Sequence, residues 1–283
     1  MKSQYFAGVD IGSTMTKVAI MNQTTLVSVI GPTGPEHRKL ANEVMEEALA
    51  KANLPFEAIT YVVATGYGRI NVPFADKQIT EISCHARGVG YLLPEVRTVI
   101  DIGGQDCKGI KLNDNGQAVD FVMNDKCAAG TGRFLEVTAE ELGINLEDMG
   151  RLSLEAKNKV EISSTCTVFA AQEVVAKLSA GAPLPDIIAG LHEAIATRIY
   201  GMVRRLKIER EVALTGGGAK NIGLVKALEA KLDFPALVPP EPLLTGAIGA
   251  ALMGRDIVKQ AGENGTPLPR SERRLQEVSL FTQ

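Results

Sequence analysis

The chain has 283 residues, 45% of them hydrophobic, which is the composition of a soluble globular protein long enough to form two domains. Its net charge of −3, its aromatic content of 5% and its lack of Trp argue against a nucleic-acid partner, because such proteins use basic surfaces and stacking aromatics. Apolar runs stay short of the roughly 18 residues that span a bilayer, and the chain enters a predicted strand without a signal-peptide pattern, so we expect a cytoplasmic protein without a membrane partner.

The first part of the sequence predicts three strands, a helix and a fourth strand. Short apolar runs indicate the strands, and apolar residues at helical spacing indicate the helix. The predicted strands cover residues 5–10, 16–21, 25–30 and 59–64, and the predicted helix covers residues 36–53.

The second part repeats this order, which predicts an α/β protein of two similar lobes with a nucleotide cleft between them. Its predicted strands lie near residues 97–102, 107–112, 118–123 and 211–215, and its predicted helices lie near 131–142, between 167 and 206, and from 220. A stretch rich in small residues then predicts a helix that packs closely on the first lobe. We expect the first lobe at residues 1–97, the second lobe at 98–243, the returning helix at 244–262 and a flexible tail or partner-binding arm at 263–283.

One short motif occurs in both parts, at the end of the first predicted strand of each. Residues 9–17 and residues 100–108 share Asp, Ile, Gly and Lys in identical places. In each copy a Gly-containing turn follows the Asp, so backbone N–H groups of the turn can face an anion. Asp10 and Asp101 would repel a phosphate directly, and a hydrated Mg²⁺ between them and a nucleotide balances the charge. The two copies therefore predict a two-part phosphate clamp.

A third Gly-rich turn follows the last predicted strand. Gly216, Gly217 and Gly218 lie between that strand and a helix, and consecutive glycines leave a flat backbone surface. Such a surface suits the adenine and ribose of a nucleotide, and the helix N-terminus beside it favours anions. A purely structural turn is the alternative. The position of the Gly-rich turn after the two repeated motifs favours the nucleotide-binding interpretation.

Two of the four cysteines precede predicted helices. Cys127 lies ahead of the helix near 131–142, and Cys166 lies ahead of the helix that starts near residue 167. Helix N-termini favour anionic metal–thiolate centres, and an iron–sulfur cluster with four thiolate ligands is such a centre. Two cysteines do not complete that site, whereas a two-fold symmetric dimer would supply four. The alternative is that both cysteines are small buried hydrophobic residues.

Several stretches together carry a resemblance to a known family. They are Ala64 to Arg69, Asp101 to Asp106, Asn124 to Phe134 and Ser163 to Phe169. These stretches closely resemble the activators of 2-hydroxyacyl-CoA dehydratases and the ATPase subunits of benzoyl-CoA reductases, within the superfamily of actin, Hsp70 and sugar kinases. The resemblance covers nearly the whole chain except its tail.

This resemblance implies a homodimer that holds one bridging [4Fe–4S] cluster through Cys127 and Cys166 of each subunit, with Mg²⁺ and ATP or ADP bound in each subunit. It also implies that one electron comes from ferredoxin or flavodoxin. ATP then drives that electron onto the iron–sulfur cluster of a partner dehydratase or reductase. The identity of that partner and of its acyl-CoA substrate stays open.

The expected roles of the site residues follow from the motifs and the resemblance together. Gln105 is the candidate that orients the attacking water, because its amide can donate and accept a hydrogen bond at once. Asp10 and Asp101 are expected to hold hydrated Mg²⁺. The nucleotide-binding candidates are Gly12, Ser13, Thr14 and Lys17 in the first phosphate loop, Gly103, Gly104 and Gln105 in the second, and Gly216, Gly217 and Gly218 for adenosine.

Other polar residues have weaker functional interpretations. Lys17 has an alternative as a strand lysine with its charge in solvent, and Glu173 could reach the metal-bound water, although a solvated helix-face carboxylate is the favoured interpretation. Cys107 is interpreted as a core residue. Adjacent residues on a helix diverge in direction, so the Cys84–His85 pair does not predict a metal site. His37 and His192 have no companion pattern.

Two other functions fit the same fold. A small-molecule kinase would need a carboxylate base facing an acceptor hydroxyl, and the sequence singles out no such residue. A nucleotide-driven regulatory ATPase would leave the cysteine pair unexplained.

Overall fold

The computed structural model describes residues 4–23, 26–124, 127–163 and 166–268. The described residues form two compact units. Those of the first unit lie within residues 1–94, 114–118 and 243–283, and those of the second lie within residues 95–113 and 119–242. None of the helices in the described ranges combines the length and the apolar character needed to cross a membrane.

The secondary structure alternates strands and helices in both units. In chain order the elements are β1 (Tyr5–Ile11), β2 (Met15–Met21), β3 (Leu26–Pro32), α1 (His37–Ala52), β4 (Ile59–Thr65), β5 (Lys77–Gln78), α2 (Glu81–Leu92), β6 (Thr98–Ile102), β7 (Cys107–Leu112), β8 (Ala118–Asn124), α3 (Gly132–Leu142), α4 (Leu146–Ser153), α5 (Thr167–Ser179), α6 (Leu184–Val203), β9 (Val212–Thr215), α7 (Ile222–Leu232) and α8 (Thr245–Asn264).

The first unit is a five-stranded sheet with the order β3-β2-β1-β4-β5, packed between helices. β1 is buried along nearly its whole length, and successive side chains of a strand point to opposite faces. Val9 accordingly packs in the cluster that includes Met45 of α1, whereas Phe6 packs in the cluster that includes Ala247 of α8. Asp10 shares the face of Phe6, so the strand presents its terminal carboxylate on the side of α8.

The second unit is a four-stranded sheet with the order β8-β7-β6-β9. Its core gathers apolar side chains from the sheet and from helices α3 to α7, among them Ile100 of β6, Phe134 of α3 and Leu191 of α6. Gly109 of β7 leaves room for Val203 at the end of α6, because a β-carbon there would lie 3.1 Å from a Val203 methyl group.

The strand pairing repeats between the two units. β1 pairs antiparallel with β2 and parallel with β4, which places Asp10 opposite Lys17 and beside Thr65. β6 pairs antiparallel with β7 and parallel with β9, which places Asp101 opposite Lys108 and beside Thr215. Each motif therefore lies at the same end of the same three-strand arrangement.

The predicted order of strands and helices is confirmed in both halves, but two helices were not predicted. In α2, Gly88 and Gly90 interrupt the apolar spacing, and α4 is only eight residues long. The helix predicted from residue 220 begins at Ile222, because a short 3₁₀ turn ends at Lys220 and Asn221 caps the helix. Residues 269–283, which include the basic stretch Arg270 to Arg274, lie outside the described residues.

Candidate functional site

The first phosphate loop joins β1 to β2 and contains a buried ion pair. Asp10 Oδ2 lies 3.0 Å from Lys17 Nζ, and the Lys17 side chain is only 10% exposed. The cross-strand register fixes this contact, since the two residues are directly opposite each other. The alternative that Lys17 points into solvent is therefore wrong. The turn consists of the half-buried Gly12, Ser13 and Thr14, and the Gly12 amide donates to Met15 O at 3.1 Å.

The N-terminus of α8 lies beside Asp10, which the sequence did not predict. A β-carbon at Gly246 would lie 2.7 Å from Asp10 Oδ2, so the helix can come this close only with Gly at position 246. A hydrogen bond of 2.9 Å between the Thr245 hydroxyl and His85 Nδ1 holds the start of the helix in place. The positive end of α8 and the ammonium of Lys17 both stabilise the buried Asp10 carboxylate.

The second phosphate loop joins β6 to β7 and contains a larger ion cluster. Lys108 Nζ lies 3.2 Å from Asp101 Oδ2 and 2.8 Å from Asp106 Oδ2, and the Lys108 side chain is 3% exposed. Thr215 Oγ1 donates to Asp101 Oδ1 at 2.9 Å. One lysine between two carboxylates leaves one negative charge, which suits a divalent cation. In the loop itself Gly103 and Gly104 are half-buried and Gln105 is exposed.

Sequence reasoning gave no role to Lys108 or Asp106. The signal for Lys108 was present, because Lys occupies the same place in both copies of the motif. For Asp106 there was no matching residue in the first copy, where Met15 stands at the corresponding position. Its part in the ion cluster appears only when the strands are paired.

The Gly-rich turn after β9 has a counterpart after β4, so a third element is duplicated. Gly66 and Gly216 have φ angles of +84° and +77°, which residues with side chains rarely adopt. A β-carbon at Gly66 would overlap the backbone of Ile11, and a β-carbon at Gly216 would overlap the backbone of Ile102. Each turn therefore lies directly against the phosphate loop of its own unit.

The two turns differ at the position after that glycine. Tyr67 in the first unit takes the place of Gly217 in the second, and Tyr67 is 79% exposed. The run of glycines that leaves a flat backbone surface is thus present in the second copy. In that copy a 3₁₀ turn follows the glycine. The next helix, α7, is then capped by Asn221, whose Oδ1 accepts a hydrogen bond from Leu224 N at 3.0 Å, and these contacts hold the turn in place.

The second phosphate loop is hydrogen-bonded to the start of α3. Gly132 N donates to Gly103 O at 2.8 Å, and Arg133 N donates to Gly104 O at 2.8 Å. These are amides of the first helical turn, which have no partner within the helix. A β-carbon at Gly132 would lie 3.2 Å from Gly103 O, so the approach depends on a small residue. The backbone that would hold phosphate is thereby joined to the segment that begins at Cys127.

Cys127 lies in a hydrogen-bonded turn before α3. Asn124 Nδ2 donates to Cys127 O at 3.0 Å and to Ala129 O at 3.1 Å, and Thr131 Oγ1 donates to Ala128 O at 2.6 Å. The expectation that Cys127 lies at a helix N-terminus is wrong, because the cap of α3 is Thr131. Cys127 is half-buried at the surface of the second unit.

A guanidinium group lies against Cys127. Arg198 of α6 approaches Cys127 Sγ with its Nη2 at 3.5 Å, within hydrogen-bonding distance for sulfur. The aliphatic part of Arg198 lies along the turn, because a β-carbon at Gly130 would be 3.4 Å from Arg198 Cδ.

Cys166 is the N-cap residue of α5 and is exposed, so the expectation of a thiol at a helix N-terminus is confirmed for it. Val168 and Phe169, in the first turn of the helix, are each 62% exposed. Glu173, one turn further, accepts hydrogen bonds from Ser163 N at 3.0 Å and from Ser163 Oγ at 3.1 Å. Its carboxylate therefore ties the segment before Cys166 to α5 and is not simply solvated.

The other two cysteines are buried. Burial raises the pKa of the Cys84 thiol to about 12, and burial likewise raises the pKa of the Cys107 thiol, as expected for a core residue. His85 pairs with Thr245 through one ring nitrogen, and no group of three or more His, Cys, Asp or Glu side chains in the described ranges is arranged to hold a metal ion. Within the described part of one chain, the accessible thiols are Cys127 and Cys166.

His192 is buried in the helical layer of the second unit. Neither of its ring nitrogens has a hydrogen-bond partner among the described residues. Desolvation by burial lowers the pKa of His192 from 6.5 to about 4. It is therefore a neutral core residue at physiological pH.

Comparison with known proteins places these features in one family. The chain matches the BadF/BadG/BcrA/BcrD ATPase family over residues 7–254. It is 47% identical over 264 residues to a 2-hydroxyisocaproyl-CoA dehydratase activator of Clostridioides difficile, covering 91% of this chain and 97% of the relative. It is also 47% identical over 255 residues to an activator of lactoyl-CoA dehydratase of Anaerotignum propionicum, covering 88% and 96%.

Solved structures agree with this grouping. The activator of the 2-hydroxyisocaproyl-CoA dehydratase from Clostridium difficile, solved with bound ADPNP, aligns with a TM-score of 0.86 at 45% identity, covering 92% of this chain and 97% of that one. A ROK family glucokinase from Streptomyces griseus aligns with a TM-score of 0.56 at 13% identity, covering 89% and 99%, which shows a shared fold. These structures confirm the predicted α/β fold of the actin, Hsp70 and sugar-kinase type.

Proposed function

Because the chain belongs to the BadF/BadG/BcrA/BcrD ATPase family, we propose that it is an ATP-driven one-electron donor, an activator, for a partner 2-hydroxyacyl-CoA dehydratase or a related reductase. The electron comes from ferredoxin or flavodoxin. Two copies of the chain together hold a [4Fe–4S] cluster, which supplies the one-electron carrier when it is bound.

The cysteines fit the donor set that such a cluster requires. Cys127 and Cys166 are the accessible thiols among the described residues, whereas Cys84 and Cys107 are buried and their pKa values are raised. Two thiolates from each of two copies give four ligands, and a shared ligand set favours two-fold symmetry.

The surface around Cys166 favours a second copy as the neighbour. Val168 and Phe169 expose large apolar side chains next to the cysteine, and exposed apolar groups of this kind mark contact surfaces. A symmetric contact would bring the same patch from both chains together beside both Cys166 thiols. These side chains would then also shield the site from water.

The two phosphate loops support nucleotide binding. Gly12, Ser13, Thr14 and Lys17 provide amides, hydroxyls and a cation in one loop, and Gly103, Gly104 and Gln105 provide amides and a carboxamide in the other. Asp10 and Asp101 hold hydrated Mg²⁺ in this proposal. Asp10 Oδ2 accepts no directed hydrogen bond from the described residues besides its ion pair with Lys17. Gly216, Gly217 and Gly218 contact adenosine.

The observation that carries the proposal is the bonding between the second phosphate loop and α3. Gly103 and Gly104 accept the amides of Gly132 and Arg133, each at 2.8 Å. A change in the loop on loss of the γ-phosphate therefore displaces the start of α3, and the Cys127 turn directly precedes that helix. Nucleotide state can in this way alter how Cys127 is held, which links ATP hydrolysis to electron release.

Iron and sulfide analysis tests the proposal. Protein isolated without oxygen should contain about four irons per two chains and elute as a dimer. Cys127→Ser and Cys166→Ser should each lose the iron, whereas the matched variant Cys84→Ala, at a buried thiol, should keep it. Monomeric, iron-free wild-type protein would contradict the proposal.

A further inference from the structure

Arg198 is placed to interact with the sulfur of Cys127. Its Nη2 lies 3.5 Å from Cys127 Sγ, and the residue is exposed on α6. The contact does not arise from neighbouring positions, because 71 residues separate the two in the chain. It arises because α6 lies against the turn that carries the cysteine.

The local structure of the turn favours this contact in two ways. Asn124 and Thr131 hold the turn through side-chain hydrogen bonds to its carbonyl groups. Gly130 leaves space for the stem of Arg198, whose Cγ would lie 3.5 Å from a β-carbon there. The turn is held by hydrogen bonds, and Gly130 leaves room for the Arg198 side chain. The guanidinium has several N–H groups, so it can donate a directed N–H···S hydrogen bond to Cys127.

We propose that Arg198 is a positioning residue that raises the reduction potential of the shared cluster by donating a hydrogen bond to the sulfur of Cys127. This inference rests on the proposed function, because it takes Cys127 as a cluster ligand. Reduction adds one electron, and a fixed positive charge beside a ligand sulfur stabilises the reduced form more than the oxidised form. In a symmetric dimer the effect acts twice, once from each chain.

This role has a consequence for the electron transfer. A cluster with a raised potential accepts an electron from the donor protein more readily but releases it to a low-potential acceptor less readily. Since α3 follows the Cys127 turn and bonds to the second phosphate loop, a nucleotide-dependent shift of that turn would change the length of the contact with Arg198. Weakening the contact would lower the potential at the moment when the electron has to leave.

Substitutions at position 198 separate the effect of the Arg198 charge from any effect on folding. Gln and Lys are good helix formers, and the side chain is exposed, so neither variant should unfold α6. Arg198→Gln removes the charge, and Arg198→Lys keeps the charge but loses the planar guanidinium that fits along the turn. Arg151→Gln, at an exposed arginine of α4 in the same unit, is the matched control.

The test is a redox titration monitored by electron paramagnetic resonance, made on anaerobic protein without nucleotide and combined with iron analysis. Arg198→Gln should keep its iron and shift the midpoint potential to more negative values, Arg198→Lys should shift it less, and Arg151→Gln should leave it unchanged. An unchanged potential in iron-replete Arg198→Gln would overturn the inference and leave the proposed function standing. Loss of iron in that variant alone would overturn the redox role as well, because Arg198 would then retain the cluster instead of tuning it. Iron-free wild-type protein would overturn both.

Discussion

Gly132 donates its backbone amide to the carbonyl oxygen of Gly103 at 2.8 Å, and so the first turn of a helix is bonded directly to a phosphate loop. Cys127 lies in the turn just before that helix. Within one compact unit, this contact joins the loop proposed to bind phosphate to the segment proposed to hold the cluster.

A methyl group at position 132 should disturb this junction without unfolding the protein. In Gly132→Ala the new β-carbon would lie 3.2 Å from Gly103 O, so the loop has to move by a few tenths of an ångström. We expect the ATP hydrolysis rate to fall on the order of tenfold, because small misplacements of phosphate-binding groups are costly. Steady-state phosphate release measures this effect.

Gly262→Ala is the matched control, because a β-carbon at Gly262 in α8 would meet nothing within 4 Å. This variant should keep the wild-type hydrolysis rate and gain about 0.5–1 kcal/mol of stability from the higher helix propensity of Ala. Equal hydrolysis rates in the two variants would contradict a role for the Gly132–Gly103 contact.

Gln105 should matter for hydrolysis and not for folding. It is exposed in the second phosphate loop, and the role expected from the sequence is that its amide orients the attacking water. Gln105→Ala should lower the ATP hydrolysis rate on the order of 10²-fold while nucleotide affinity changes little. Gln260→Ala, at an exposed glutamine of α8, should behave as wild type. Loss of nucleotide binding in Gln105→Ala would instead assign the residue to affinity.

The buried lysine of the second unit should be important for stability. Lys108→Met leaves the buried Asp101 and the partly buried Asp106 without their shared cation. Breaking such a pair from one side costs about 3–5 kcal/mol. Urea unfolding should show a loss of this size for Lys108→Met and a change of no more than about 0.5 kcal/mol for Lys226→Met at an exposed ion pair. Equal losses would mean that the cluster does not stabilise the unit.

His192 should make stability depend on pH in one direction. Its pKa is about 4 in the folded protein and 6.5 when exposed, so between these values the unfolded state binds more protons. The free energy of unfolding should therefore fall as the pH is lowered from 6.5 towards 4, by up to about 3 kcal/mol from this group.

Replacing His192 with Leu should remove this group's contribution to the pH dependence of the free energy of unfolding. The imidazole makes no hydrogen bond within the described part of the chain, so its loss leaves no buried group newly unpaired. Chemical unfolding of wild type and His192→Leu at pH 7 and pH 5 measures the difference, and His37→Leu serves as the control that keeps the dependence. An unchanged pH dependence in His192→Leu would contradict the assignment.

Much of the fold follows from the sequence because its signals are local. Apolar runs ending in Asp-Ile-Gly predicted the strands that carry both phosphate loops. The register then brought Lys17 and Lys108 onto Asp10 and Asp101. Such contacts depend only on neighbouring strands, which the pattern specifies.

Contacts between distant segments could not be predicted in the same way. The approach of α8 to Asp10 depends on packing between Gly246 and a strand more than 200 residues away. The Arg198–Cys127 contact depends on where α6 lies, and no local pattern encodes it. The turn at Gly66 repeats that at Gly216, but Tyr67 hides the repetition in the sequence because it replaces a glycine.

Control of the shared cluster by nucleotide is tested most directly by the rate at which a chelator removes iron from anaerobic dimer. We expect different rates in the nucleotide-free, ADP-bound and ADPNP-bound states of the wild type, and a smaller difference among these states in Gly132→Ala. Identical removal rates in all three states of an iron-replete wild-type dimer would contradict it.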